Sequence, residues 1–383
     1  MFDVILKNIT HRKTRTVLTI FGIGLGIFAV IVMGGMSENF SMMFENSMSL
    51  TADKIRILSD GGFGASLKNS KISEVKRVPG VSDAYGLLQV PLDPGNLAFF
   101  GGDMVMGIAP EKQKIAIIDT RLESGRLLIP GDGFSAVVGS SVSREFNLKV
   151  GSELEIQSKR AGRTKSNAGT RNFTIVGILE YTGSFFDNSV QIPLEKAQEF
   201  YDRKDMLSVI LAVPGKDTDP EYLARRIELN VNQVTTFSPN ELRKQIEQSL
   251  IIFSLITISA AVIALIIGCL SVTNTMLMSV SERTKEFGLM KALGAETRDV
   301  LFLTIGEAAL LGILGGIIGI VGGIAFVYYL NDYLAAKGTV LFAITPRLLL
   351  VSIGFAFFLG ILAGTYPAYR ASKMNPMEAL RYE

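Results

Sequence analysis

The sequence predicts a membrane α-helical protein with four transmembrane helices and a large α/β extracytoplasmic domain inserted between helices 1 and 2. Three observations point to it. Four apolar stretches, at positions 16–37, 248–281, 308–331 and 348–369, contain no Asp, Glu, Lys or Arg, and about 20 apolar residues are enough to cross the ~30 Å hydrocarbon core of a bilayer. A polar region of mixed patterning separates the first stretch from the other three. The composition agrees: 48% of residues are hydrophobic and 19% charged, against roughly 25% charged in soluble domains, and mean hydropathy is +0.35.

Residues 1–15 place Phe2, Ile5, Leu6 and Ile9 at i, i+3, i+4 and i+7, one apolar face of a helix expected along the cytoplasmic interface against membrane lipid. Transmembrane helix 1 follows at 16–37. It reads as a retained span, because its apolar core exceeds the roughly 7–15 residues of a signal peptide and Gly34-Gly35-Met36-Ser37 offers no A-x-A-like cleavage site. The pattern continues outward through Phe40, Met43, Phe44 and Met48, as a stalk.

The extracytoplasmic domain, 38–248, alternates in Lys54-Ile55-Arg56-Ile57-Leu58 and in Glu153-Leu154-Glu155-Ile156, and has apolar runs at Ala136-Val137-Val138 and Phe173-Thr174-Ile175-Val176, the patterns of strands. Pro79-Gly80, Asp93-Pro94-Gly95, Pro130-Gly131-Asp132-Gly133 and Pro214-Gly215 mark turns. Closely spaced strands at about 116–195, with helical pattern at 220–229, predict a β-rich lobe inserted within an α/β lobe. Lys159, Arg160, Arg163, Lys165 and Arg171 gather in an acid-free stretch read as a solvated hairpin tip. The whole region balances 25 basic against 27 acidic residues, so it offers no general field for an anionic ligand and no indication of nucleic acid.

Ser238-Pro239-Asn240-Glu241 is a helix start: a serine N-cap, proline at the first helical position and glutamate to complete a capping box. From there to about 281 the chain has no further proline and one glycine, Gly268. A second stalk running into transmembrane helix 2 (249–280) would be a rod of roughly 60 Å, about twice the hydrocarbon thickness. Such a rod can transmit movement or serve as simple support, and the residues leave both open.

A loop at 281–299 leads to transmembrane helix 3 (300–330). There Gly312 and Gly316, and Gly315, Gly319 and Gly323, fall four apart, the spacing that lets helix backbones approach closely in lipid. The facing helix is either in this chain or in a second copy. Glu307 lies near the cytoplasmic start of the span, where a polar group costs less than at the midplane, favouring a hydrogen-bonded structural role over a proton site. An outer loop (331–347), transmembrane helix 4 (348–369) and a tail (370–383) complete the chain.

Cations near helix ends set the orientation, because cytoplasmic loops are enriched in Lys and Arg. Lys7, Arg12, Lys13 and Arg15, then Arg283, Lys285, Lys291 and Arg298, then Arg370, Lys373 and Arg381 mark three cytoplasmic segments, while 331–347 holds only Lys337 and Arg347. Both termini are therefore expected inside. The single histidine, His11, and the single cysteine, Cys269, lie outside the outer domain. Its chemistry accordingly excludes a disulfide framework, Cys/His metal sites and His-based triads. Cys269 reads as a small buried hydrophobe, and no catalytic or metal-ligating set is expected.

The segment Ser279-Val280-Ser281-Glu282-Arg283-Thr284-Lys285-Glu286-Phe287-Gly288-Leu289-Met290-Lys291-Ala292-Leu293-Gly294-Ala295 closely resembles the signature loop of the permease family that includes macrolide exporters, lipoprotein-releasing permeases and FtsX cell-division proteins. Physically it is a short helix with Phe287, Met290 and Leu293 as apolar anchors, charged flanks, and Gly294 to end it, a shape suited to a partner's groove. The closing Tyr366-Pro367-Ala368-Tyr369-Arg370-Ala371-Ser372-Lys373-Met374-Asn375-Pro376-Met377-Glu378-Ala379-Leu380-Arg381 is similar to the family's final motif, with Tyr369 where a basic residue is usual. Gly125-Arg126, Val138-Gly139, Val150-Gly151, Val176-Gly177 and Ile192-Pro193-Leu194 resemble its MacB-like periplasmic core domain.

The resemblance implies the permease subunit of an ABC system in a prokaryotic cytoplasmic membrane, a homodimer or a heterodimer with a second permease. It works by mechanotransmission on a lipoprotein, peptide or drug, with an envelope adaptor or substrate protein outside. Its alternative is an FtsX-like signalling scaffold that regulates an envelope partner without transport. No G-x-x-x-x-G-K-[ST] loop occurs in the sequence, so ATP and Mg are expected on a separate ABC ATPase subunit and no cofactor on this chain. Glu282, Arg283, Glu286, Phe287, Gly288, Lys291, Leu293 and Gly294 are the expected ATPase-coupling residues.

Overall fold

A computed structural model describes residues 13–51, 53–61, 65–92, 103–116, 121–158, 169–335, 340–374 and 377. The interface helix read at Phe2, Ile5, Leu6 and Ile9, the cations Lys159, Arg160, Arg163 and Lys165, and the closing motif beyond 377 lie outside the described residues. The chain divides into two units, one of Met1–Asn39, Ile251–Leu330 and Leu341–Glu383, the other of Phe40–Leu250 and Asn331–Val340.

Helix α1, Lys13–Thr51, leads into the second unit. There strands β1 (Ile55–Ser59), β2 (Leu67–Lys68), β3 (Val81–Pro91), β4 (Met104–Ile108), β5 (Leu122–Gly125), β6 (Ser135–Val138), β7 (Glu153–Gln157), β8 (Thr170–Leu179), β9 (Ser189–Pro193), β10 (Met206–Leu207), β11 (Val209–Pro214) and β12 (Val234–Phe237) alternate with short helices α2 (Ser70–Lys76), α3 (Gln113–Ala116), α4 (Ser140–Glu145), α5 (Leu194–Phe200) and α6 (Pro220–Asn230). Ten strands form one sheet in the order β12-β1-β11-β3-β4-β9-β6-β8-β5, with β7 beside β8, while β2 and β10 pair separately. Pairing is parallel only at β4–β9 and β6–β8 among the described ladders.

Local patterning accounts for these strands. In β1, Ile55 and Ile57 are fully buried while Leu58 is exposed, the period-2 signature of a strand with one wetter face. Ala136, Val137 and Val138 of β6 are all fully buried, because this central strand is covered on both faces, and so it reads as a run and not an alternation. The strands of the 116–195 segment form one end of the continuous sheet, joined to the rest where β9 lies parallel to β4 from Met104–Ser189 to Ile108–Pro193. One core gathers Ile55, Ile57, Val75, Ile210, Leu223 and Ile227 beneath α2 and α6. A second gathers Val105, Val138, Val142, Phe173, Ile192 and Ala197 beneath α4 and α5. Arg171, from the basic stretch, lies over the Phe134 ring at 4.1 Å.

The outer end of α1 is seated on the turn before β9. Asn46 Nδ2 donates to the carbonyls of Thr182 (3.1 Å) and Gly183 (3.2 Å), the Phe185 N–H donates to Ser47 Oγ (3.0 Å), and Phe44 meets Phe185 edge to face. Gly183 takes a φ of +65°, a conformation that glycine adopts without strain. Beyond β12 the capping box is formed in full: the Ser238 N–H donates to Glu241 Oε2 (2.9 Å) and the Glu241 N–H to Ser238 Oγ (3.2 Å).

That box opens helix α7, Pro239–Glu282. After it come α8 (Thr284–Ala292), α9 (Thr297–Ala335) and α10 (Pro346–Ser372). Helices α1, α7, α9 and α10 are each long and apolar enough to cross a membrane. Between α9 and its neighbours the contacts run through glycine. A β-carbon at Gly315 would lie 2.6 Å from Ile23 Cβ, one at Gly319 2.7 Å from Ile27 Cβ and one at Gly323 2.8 Å from Ile31 Cγ2, all on α1. On another face of α9, a β-carbon at Gly312 would lie 2.7 Å from the Ala356 carbonyl oxygen of α10, and Gly316 abuts Ala356 as well. Both glycine rows therefore face helices of this chain.

Pro367 lies inside α10 and cannot donate to the carbonyl four residues back. That carbonyl, of Ala363, instead accepts a hydrogen bond from Thr273 Oγ1 of α7 at 3.0 Å, the side-chain compensation that makes proline tolerable in lipid. The buried residues of α7 are Ala264, Gly268, Val272, Met276 and Val280, one stripe at intervals of four. Ile252, Leu255, Ile258, Val262 and Ile266 on the same helix are exposed.

Substituting Gly319→Ala is expected to destabilise the helical unit by about 1–3 kcal/mol, whereas Gly354→Ala, with no atom within 4 Å of its β-carbon, serves as a neutral control in thermal unfolding of the detergent-solubilised chain. In the outer unit, burial and the charge and hydrogen bond of Glu145 push Asp103 up to about 8, above the ~4 of an unfolded aspartate. The protonated Asp103 carboxyl is favoured by folding, so its contribution is present below about pH 4 and lost as pH rises to about 8. Thermal unfolding across that window should show the decline, and Asp103→Asn should flatten it.

Candidate functional site: the coupling helix

Helix α8 is a two-and-a-half-turn connector between α7 and α9. Its end is chemically explicit. Gly294 has φ +99°, its N–H donates to the Lys291 carbonyl (3.1 Å), and the Ala295 N–H donates to the Met290 carbonyl (3.0 Å), the paired bonds of a Schellman stop. At nine residues α8 is too short to be stable by itself in water, so its placement depends on side chains that tie it to longer helices.

Three such ties are present. Phe287 is 2% exposed and packs among Val280 of α7, Val300 and Leu303 of α9 and Ala371 of α10, with Met290 and Met374 at the edge. Arg283 donates from Nε to Glu286 Oε2 at 2.7 Å and from Nη1 to Glu307 Oε1 at 2.8 Å. Lys291 Nζ donates to the carbonyls of Ser372 and Met374, the latter at 3.0 Å. These carbonyls belong to the end of α10 and the turn after it, where no intrahelical donor remains and a cation is electrostatically favoured. Burial opposes ionisation of Arg283, but the hydrogen bonds and charges of Glu286 and Glu307 hold its pKa above the ordinary arginine value.

The expectation that Phe287 stands outward as an anchor for a partner is corrected by this geometry. Phe287 and Gly288 are buried within the chain, Met290 is half-buried and Lys291 and Arg283 are engaged internally. The outward surface is made by Glu282, Lys285, Glu286, Leu289, Ala292, Leu293 and Gly294, all exposed. Leu289 went unread in the sequence. Its signal is the i, i+4 pairing with Leu293, which puts two large apolar side chains on the face opposite Phe287; at 54% and 80% exposure they form an apolar spot ringed by charge. Cys269 is a free, partly buried thiol.

Residues 16–229 match the model of the MacB-like periplasmic core domain, and residues 258–376 that of the FtsX-like permease C-terminal region. The chain belongs to the MacB/FtsX family of ABC transporter permeases. An ABC transporter permease of Methanocaldococcus jannaschii is 27% identical over 98% of this chain and 96% of its own length, and the permease YknZ of Bacillus subtilis is 25% identical over 99% and 98%. The macrolide export ATP-binding/permease protein MacB of Bdellovibrio bacteriovorus is 26% identical over 98% of this chain, which spans only 61% of that relative. Among solved structures, the periplasmic region of MacB from Actinobacillus actinomycetemcomitans overlaps 54% of this chain and 97% of its own, at 13% identity and a TM-score of 0.36.

Within this permease the two faces of α8 separate cleanly in effect. Phe287→Ala removes a buried aromatic and is expected to cost about 3–5 kcal/mol of local or global stability, read as accelerated tryptic cleavage at Lys285. Leu293→Ala leaves both stability and cleavage rate unchanged.

Proposed function

We propose that this permease couples ATP hydrolysis by a separate ATPase subunit, which binds ATP and Mg, to conformational change in its extracytoplasmic unit. The single observation that carries the proposal is the construction of α8: a short helix clamped inwardly to α7, α9 and α10, with an apolar pair, Leu289 and Leu293, left outward amid Glu282, Lys285 and Glu286. A helix so braced moves only with the helices that hold it. Its exposed face has the mixed apolar and charged character suited to insertion in a partner's groove.

Support for a separate ATPase comes from the relatives. The Methanocaldococcus jannaschii and Bacillus subtilis proteins are named as permeases and are spanned over 96% and 98% of their lengths, while the relative named ATP-binding/permease is spanned over 61%. Cation placement supports a cytoplasmic side for α8 and both termini. The exposed apolar flank of α7 (Ile252, Leu255, Ile258) is where a second permease would pack to form the dimer. Mechanotransmission then runs along α1, seated on the turn before β9, and along α7, which continues from β12. The work is done on a substrate outside the bilayer, such as a lipoprotein, peptide or drug, and the relatives named for macrolide export favour transport over a signalling scaffold.

Affinity capture of the chain from native membranes is expected to co-purify an ABC ATPase, and the double substitution Leu289→Glu with Leu293→Glu to abolish that capture while leaving thermal stability intact. Undiminished capture would remove the outward face of α8 from the docking surface.

A further inference from the structure

Glu307 plays no part in docking, yet its side chain is 7% exposed, in the first turns of a membrane-spanning helix, with a guanidinium from the cytoplasmic loop on it. A carboxylate so placed is costly unless paired. We infer that Glu307 is a positioning residue: through Arg283 it seats the leading end of α8 on α9, so that displacement of α8 is delivered to α9 and is not absorbed by the loop. This deepens the docking proposal and rests on it for its functional meaning, though the seating itself is a property of this chain alone.

The three ties of α8 are not equivalent. Phe287 is held by apolar contact, which is non-directional and tolerates sliding. Lys291 bonds main-chain oxygens at the end of α10. Arg283 makes the directional bond to α9, and its two carboxylate partners differ sharply: Glu286 is 63% exposed, while Glu307 is 7% exposed and Arg283 itself 16%. An exposed pair contributes little and exchanges with water. The buried partner, by contrast, holds the guanidinium in a poorly solvated place, where water does not readily replace the bond. Glu307 also shares a face of α9 with Leu303 and Val300, one and two turns nearer the loop, both of which line the Phe287 pocket. Ion pair and aromatic plug thus engage one face of α9 in sequence, fixing both the rotation and the axial position of α8.

The test uses the full chain in lipid nanodiscs and follows amide hydrogen exchange. Glu307→Gln is expected to raise exchange across 284–292 by about tenfold or more, with exchange in the outer sheet and in the middle of α9 unchanged. Glu307→Asp should restore protection in part, and the swap of Arg283→Glu with Glu307→Arg should restore more. Unchanged exchange in 284–292, or a rise spread equally over α1, α7 and α9, would overturn the inference, the latter marking a merely structural acid. With the captured ATPase, ATP and magnesium should alter exchange in the outer unit of the wild type, while Glu307→Gln retains capture and loses that response; a wild-type-like response in Glu307→Gln sinks the proposal. Failure of the wild type to capture any ATPase would instead reject the docking assignment and leave the exchange result standing.

Discussion

Between apolar helices in lipid the hydrophobic effect supplies almost no attraction, since the surrounding acyl chains are as apolar as leucine. Association must come from close packing, and close packing needs backbones that can approach. In this permease α9 supplies that approach twice, with Gly315, Gly319 and Gly323 against α1 and Gly312 and Gly316 against α10. Every other feature of the helical unit depends on this sandwich. Beside it Thr273 reaches the carbonyl freed by Pro367, and it brings the loop-side ends of α9 and α10 close enough for one phenylalanine to pack with both.

Helix α8 divides its side chains between two faces within that arrangement. Inward groups are those with the most to lose from water or from solitude: an aromatic ring, a guanidinium facing a buried acid, an ammonium capping orphan carbonyls. Outward groups are those that water tolerates. Two leucines among charges cost little while exposed and gain when covered. Helix α8 is thereby tied to its neighbours through its inward face, while its outward face stays exposed.

Much of this was legible in advance. The four spans, the capping box at Ser238, the strands at Ile55, Ala136, Glu153 and Phe173, and the Gly294 stop each depend on local chemistry that acts within a few residues, so pattern and spacing suffice. Phe287 turns inward for an equally physical reason. A short helix between two longer ones has two faces of similar polarity, and the side that turns inward is chosen by the distant residues Val300, Leu303 and Ala371. Leu289 follows Phe287 and Gly288 and precedes Met290, so nothing in the local pattern marks it as outward until the opposite face is known to be occupied.

What the amino-acid order alone determined is the membrane class, the two-part layout with a domain between helices 1 and 2, and the family, because hydropathy, turn chemistry and the loop motif are properties of contiguous residues. Tertiary structure decided the rest. It made both glycine rows internal contacts, joined the 116–195 strands to the flanking ones through β4 and β9, and paired Glu307 with Arg283 across 24 positions. Those outcomes turn on which distant groups come within bonding reach, and no periodicity along the chain encodes that distance.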